Sequence, residues 1–196
     1  MSGPTKYNQK GMFENATIRQ DLVKPYLRKI SCDPMGQHPL PTDEHLQRIS
    51  SSDGVSWREE VLRVMRRQGL KPDRDWFYKG AKMCLTWRLW DYAFPNAKWV
   101  IVRRDKDDIA KSCLRTGFMR AFDDVGGWRG WVDEHERRFA EMQMSGLWYM
   151  EVWPEKIINQ DLTEIKDVIE GLGLKYNEAN IKAFIAPSLW RRGRPK

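Results

Sequence analysis

The stretch Phe94-Pro95-Asn96-Ala97-Lys98-Trp99-Val100-Ile101-Val102-Arg103-Arg104-Asp105 constrains the fold more than any other part of the chain. Pro95-Asn96-Ala97 is a turn. Lys98 to Arg103 then reads as a strand whose β-branched apolar centre is of the kind buried in a parallel sheet. Asp105 caps a helix from Lys106 to Arg115, and Asp107 and Asp108 fall in its first turn, where the helix dipole favours carboxylates. A strand that passes directly into an Asp-capped helix is the unit from which parallel α/β domains are built.

The flanking sequence extends this pattern. Phe13 to Ile30 carries apolar residues at helical spacing, with Pro25 as a potential kink. Cys32 to Gly54 is rich in Pro, Ser, Asp and Gly and reads as a long loop with a short helical turn near Glu44 to Ile49. Ser56 with Glu59 forms a capping box for a helix to Gln68, stopped by Gly69. Trp76 to Lys79 suggests a short buried strand, and Cys84 to Phe94 a helix ending before Pro95. Downstream come a helix from Trp128 to Met144 and a strand from Trp148 to Val152, broken by Pro154. A helix capped by Asp161 then stops at Gly171 to Gly173, and a last helix runs from Asn177 to Ile185. The expected architecture is a single α/β domain over residues 1–196, with a mainly parallel sheet flanked by helices. A helix-and-loop region spans 1–55 and an α/β core 56–196.

Composition narrows the partners. Lys and Arg exceed Asp and Glu by 34 to 27, a formal charge of +7 that suits an anionic ligand. Cys32, Cys84 and Cys113 are widely spaced, as are His38, His45 and His135, so neither a disulfide framework nor a metal site is expected. His135 lies among charges and reads as a surface residue. No run approaches the roughly 20 apolar residues of a membrane span, nor does the start resemble a signal peptide, so a cytoplasmic protein is expected. Ten tryptophans point first to an aromatic core and second to an aromatic groove for a base or sugar.

The chemistry centres on Arg104 and Ser112. Parallel α/β sheets bind ligands beyond the carboxyl ends of their strands. An Arg there offers a fork of donors to phosphate, and the following helix offers backbone N–H groups. Ser112, on the second turn, presents a hydroxyl toward an anion beside the helix. The competing reading is structural: Arg104 pairs with Asp105 or Asp108, and Ser112 is a small helix residue.

At this point the chain resembles a known family. FPNAKWVIVRRDKDDIAKSCLRTGF is similar to the 3'-phosphate-binding strand and helix of sulfotransferases that use 3'-phosphoadenosine-5'-phosphosulfate (PAPS). WFYKGAKMCLTWRLWDYAFP and YMEVWPEKIINQDLTEIKDVIEGLGL resemble the neighbouring elements, so the likeness covers residues 76–190. It implies a P-loop-like nucleotide-binding fold and metal-free sulfuryl transfer from PAPS to a hydroxyl or amine on a small-molecule or carbohydrate acceptor. By this resemblance Arg104 and Ser112 grip the 3'-phosphate. LWRRGRPK is similar to a basic element that covers that phosphate, which adds Arg191, Arg192 and Gly193. KGMFENATIR resembles a segment in which a Glu faces the acceptor. Glu14 is then the general base, or else a helix-terminal carboxylate stabilised by the dipole. Lys79 and Lys82 either balance charge developing on the sulfuryl group or are solvated lysines.

The family's Gly/Ser/Thr-rich loop for the 5'-phosphosulfate has no counterpart in Ser2-Gly3-Pro4-Thr5, and no GxxxxGK[ST] occurs. The expectation is a member that lacks this loop or is incomplete at its N-terminus. An unpaired sheet edge would favour a homo-oligomer. The alternative function is a non-enzymatic, basic nucleic-acid-binding module, suggested by the charge and the Trp-Arg pairs. The alternation of bases with acids argues against it.

Overall fold

The computed structural model describes residues 9–10 and 13–189. The chain divides into two units, Met1–Ala97 and Lys98–Lys196. Together they are mixed α/β, with one parallel pair of strands among the described residues.

In the first unit a π-helical stretch, Ile18–Val23, continues into α1, Lys24–Lys29. The backbone N–H of Lys24 reaches back five residues to Arg19 O. Pro25 has no N–H and would crowd the carbonyl four residues before it, and a wider turn at this point relieves that conflict. The short helix expected near Glu44 is α2, Asp43–Gln47. It is capped by Thr42, whose hydroxyl accepts from His45 N–H while Thr42 N–H donates to His45 Nδ1 at 3.1 Å.

α3, Ser51–Arg67, starts earlier than expected. Ser50 and Asp53 form its capping box, and Ser56 and Glu59 lie inside the helix instead. Both serines fit the local capping pattern; packing chooses between them. Helical backbone through Gly54 lets α3 meet α4, Trp87–Ala93, where a Cβ on Gly54 would fall 2.4 Å from Tyr92 Cβ. The expected boundary at 55/56 therefore falls within one helix. Gly69 ends α3 at φ +91°, a conformation that glycine adopts freely.

The strand expected at Trp76 to Lys79 does not form. Its apolar character has another cause. Tyr78 stacks on Trp90 of α4 at 4.9 Å, and Trp76 meets Phe94 edge-on at 5.1 Å. The alternate residue Phe77 is 66% exposed. This extended segment packs its rings on a helix rather than pairing in a sheet. Trp57 meets Trp90 edge-on at 5.4 Å, and both are buried with Ile18, Leu27, Val61 and Leu89. Among the described residues Trp57, Trp87, Trp90, Trp99 and Trp128 are buried and build core.

The second unit holds β1, Trp99–Val102, and β2, Tyr149–Val152, paired in parallel with Trp99 opposite Tyr149 and Val102 opposite Val152. The burial of β1 alternates: Trp99 and Ile101 are buried, while Val100 and Val102 are exposed. The expectation of a strand buried on both faces is corrected here. A strand covered on one side buries every second residue.

α5, Lys106–Arg115, packs on α6, Val125–Met144, around Ala110, Cys113 and Trp128. Trp128 is fully buried and donates its Nε1–H to Phe122 O at 2.9 Å. Arg129 holds Asp107 with two hydrogen bonds of 2.7 and 2.8 Å, and Lys106 pairs with Asp133. Beyond β2 come α7, Pro154–Ile158, α8, Thr163–Gly171, and α9, Glu178–Phe184. No helix among the described residues is long and apolar enough to cross a membrane.

Candidate functional site

β1 ends at Val102, and the next two residues diverge. Successive side chains along extended backbone point to opposite sides, so adjacent arginines serve different neighbours. Arg103 is a structural clamp. It pairs with Glu136 of α6 and, at 3.2 Å, with Glu151 of β2, and it lies over the rings of Phe139 and Trp153. Arg104 instead faces α5. Its Nη2 lies 3.8 Å from Asp108 Oδ2, with the two side chains 26% and 20% exposed.

Asp105 fixes the start of α5: its Oδ1 accepts from Asp108 N–H at 2.9 Å. Asp108 and Ser112 are four residues apart and share a face of α5. Arg104, Asp108 and Ser112 therefore form a row from the strand end along one side of the helix. The pairing of Arg104 with Asp108, one of the two readings at the sequence level, is present. Ser112 is half-buried, and its carbonyl accepts from Thr116 Oγ1 at 2.8 Å. Behind the row, burial pushes the Cys113 thiol up to about 11, against the opposing pull of the Arg104 charge.

An open cleft of about 410 Å³ adjoins this row, lined by Asp105, Asp108, Trp153 and Glu155. Both Glu155 carboxylate oxygens are shielded from solvent. Three of the four lining residues are acidic, and neither Arg104 nor Ser112 is among them.

In the first unit, Glu14 is 8% exposed and its Oε2 accepts from Arg19 Nη1 at 2.6 Å. Lys82 belongs to the same neighbourhood. Burial pulls the Lys82 ammonium below its ordinary range, Glu14 opposes the shift, and Lys24 and Arg19 add to it. Tyr78 is pushed up chiefly by burial and next by Glu14, with Arg19 opposing. So Glu14 and Lys82 lie in one electrostatic cluster, together with Arg19 and Tyr78. Lys79 is exposed. Arg19 was missed at the sequence level, because a five-residue interval is not a one-turn spacing in an α-helix.

Ser2 to Thr5, Arg191, Arg192 and Gly193 lie outside the described residues. His135 is corrected: it is 8% exposed, its Nδ1 lies 2.8 Å from Trp131 O, and its ring sits 3.9 Å from that of Trp131. A charged sequence neighbourhood concealed a helix face that is buried. Among the described residues no group of three or more His, Cys, Asp and Glu could hold a metal ion. No family model matches the chain, nor does any curated protein or solved structure.

Proposed function

We propose that this chain binds a 3'-phosphoadenosine nucleotide in the manner of PAPS-dependent sulfotransferases. Arg104 and Ser112 hold the 3'-phosphate beside the first turns of α5. The observation that carries the reading is the row Arg104, Asp108, Ser112, set where β1 passes into an Asp-capped helix. A guanidinium, a hydroxyl and helix N–H groups supply donors of three kinds to one anion.

In the reaction this implies, an acceptor oxygen or nitrogen attacks sulfur in line. The bond from sulfur to the 5'-phosphate oxygen breaks, and 3',5'-adenosine bisphosphate leaves. By the resemblance alone, Glu14 would be the proton acceptor and Lys79 and Lys82 the charge balance. Arg191, Arg192 and Gly193 keep their assignment to the 3'-phosphate on the same basis.

Calorimetric titration with 3',5'-adenosine bisphosphate tests the binding step. The wild-type chain should bind, and Arg104→Ala should weaken binding by roughly tenfold or more, as expected for losing a charge-assisted contact. 5'-AMP, which lacks the 3'-phosphate, should bind weakly and respond little to Arg104→Ala. Equal affinity of both proteins for the bisphosphate, or no binding by wild type, overturns the reading. The nucleic-acid alternative gains no comparable support. Arg48, Arg63, Arg129, Arg137 and Lys182 face carboxylates on their own or neighbouring helices.

A further inference from the structure

We propose that Asp108 is an internal counter-ion for Arg104, which the ligand's phosphate displaces, and that its charge limits the affinity of the site. This inference rests on the nucleotide-binding reading above and adds a residue that tunes it. Two independent observations carry it. The Arg104–Asp108 separation of 3.8 Å makes an ion pair at a distance beyond a hydrogen bond. Asp108 also lines the cleft with Asp105 and Glu155, so an anion entering it would lie beside acidic residues.

The chemistry favours exchange. A phosphate dianion brings more charge than a carboxylate and accepts both arms of the guanidinium. The Asp108 backbone is fixed on the first turn of α5, where its N–H donates to Asp105 Oδ1 at 2.9 Å. A phosphate between Arg104 and Ser112 would thus take the guanidinium from Asp108 and leave that carboxylate facing the cleft. Its repulsion of the bound anion is the cost of binding.

The test compares the full chain with Asp108→Asn, using 3',5'-adenosine bisphosphate and 5'-AMP as probes. Asp108→Asn should bind the bisphosphate roughly two- to fivefold tighter, the range of a partly exposed ion pair. The gain should shrink as salt rises. Affinity for 5'-AMP should stay the same, and Asp108→Glu should behave as wild type. Asp108→Ser serves the same comparison if the Asn variant does not fold. Unchanged or weaker binding by the neutral variants overturns the counter-ion role; weaker binding would mean that Asp108 positions Arg104 instead. If Arg104→Ala still weakens wild-type binding in that case, the nucleotide site stands without the counter-ion. Absence of bisphosphate binding by wild type and Asp108→Asn alike overturns both.

Discussion

Glu14 Oε2 and Arg19 Nη1 stand 2.6 Å apart, and Glu14 keeps only 8% of its surface in solvent. A buried carboxylate left without its partner is costly, more so than a pair replaced as a whole. Arg19→Met should lower the unfolding free energy by about 2 kcal/mol, less than for a fully buried pair because Arg19 is a quarter exposed. Glu14→Gln combined with Arg19→Met should recover most of that loss. Urea denaturation of the two single variants and the double variant measures the coupling. Strictly additive losses would mean that the pair contributes nothing of its own.

The start of α3 makes a sharper prediction. The Ser50 hydroxyl accepts from Asp53 N–H at 3.3 Å, and Asp53 Oδ2 accepts from Ser50 N–H at 2.8 Å. Ser50→Ala should cost about 1 kcal/mol. Ser56→Ala, inside the helix, should be neutral or gain a few tenths of a kcal/mol, that is about 0.3 kcal/mol. The hydrogen bonds from Ser50 hold the Asp53 carboxyl below its ordinary 3.8. A carboxyl depressed in the folded state stabilises the protein above its unfolded pKa. That contribution fades as pH falls through the folded value, below 3.8. Thermal melts from about pH 5 to about pH 2.5 should show a shallower acid limb for Asp53→Asn than for wild type.

These two cases show why part of the fold is legible in sequence. β1 and α5 follow from rules acting within a few residues: an apolar β-branched run, then Asp105 bonding to the N–H three positions on. The sequence reading places both within a residue of their observed limits. Ser50 and Ser56 are indistinguishable by the same rules, and the decision comes from Tyr92, nearly forty positions away. Likewise, the rings of Trp76 and Tyr78 look like strand residues until Trp90 and Phe94 are there to receive them. The approach of Arg104 to Asp108 was legible because strand end and first helix turn are both local. Arg19 beside Glu14 was not, since no regular repeat joins them.

Lys82 offers a pH test of the first unit's cluster. Burial lowers its pKa from 10.5, and the Glu14 charge partly offsets this. A lysine whose folded pKa is depressed disfavours the folded state while charged, and stability returns as pH climbs from the folded value toward 10.5. Competitive acetylation should give Lys82 a titration midpoint below that of exposed lysines, and Glu14→Gln should lower it further. Lys82→Met should melt higher than wild type at neutral pH, with the gap closing in strong alkali. A midpoint at or above 10.5 would remove Lys82 from the cluster.

Two helical glycines should respond oppositely to the same substitution. Alanine is favoured over glycine in a helix interior by about 1 kcal/mol. At Gly130 of α6 an added Cβ meets nothing within 4 Å, so Gly130→Ala should gain most of that amount. At Gly54 the Cβ would lie 2.4 Å from Tyr92 Cβ, 2.7 Å from Tyr92 C and 3.0 Å from Ala93 N. Two of those neighbours are backbone atoms that no rotamer change can move. α3 and α4 would have to separate and loosen the Trp57–Trp90 contact, at 5.4 Å the aromatic link between them. Gly54→Ala should therefore lose about 2 kcal/mol net, as overpacked cores do. Urea unfolding of both variants reads the two signs directly, and a stabilised Gly54→Ala would mean that α3 and α4 do not dock through this glycine.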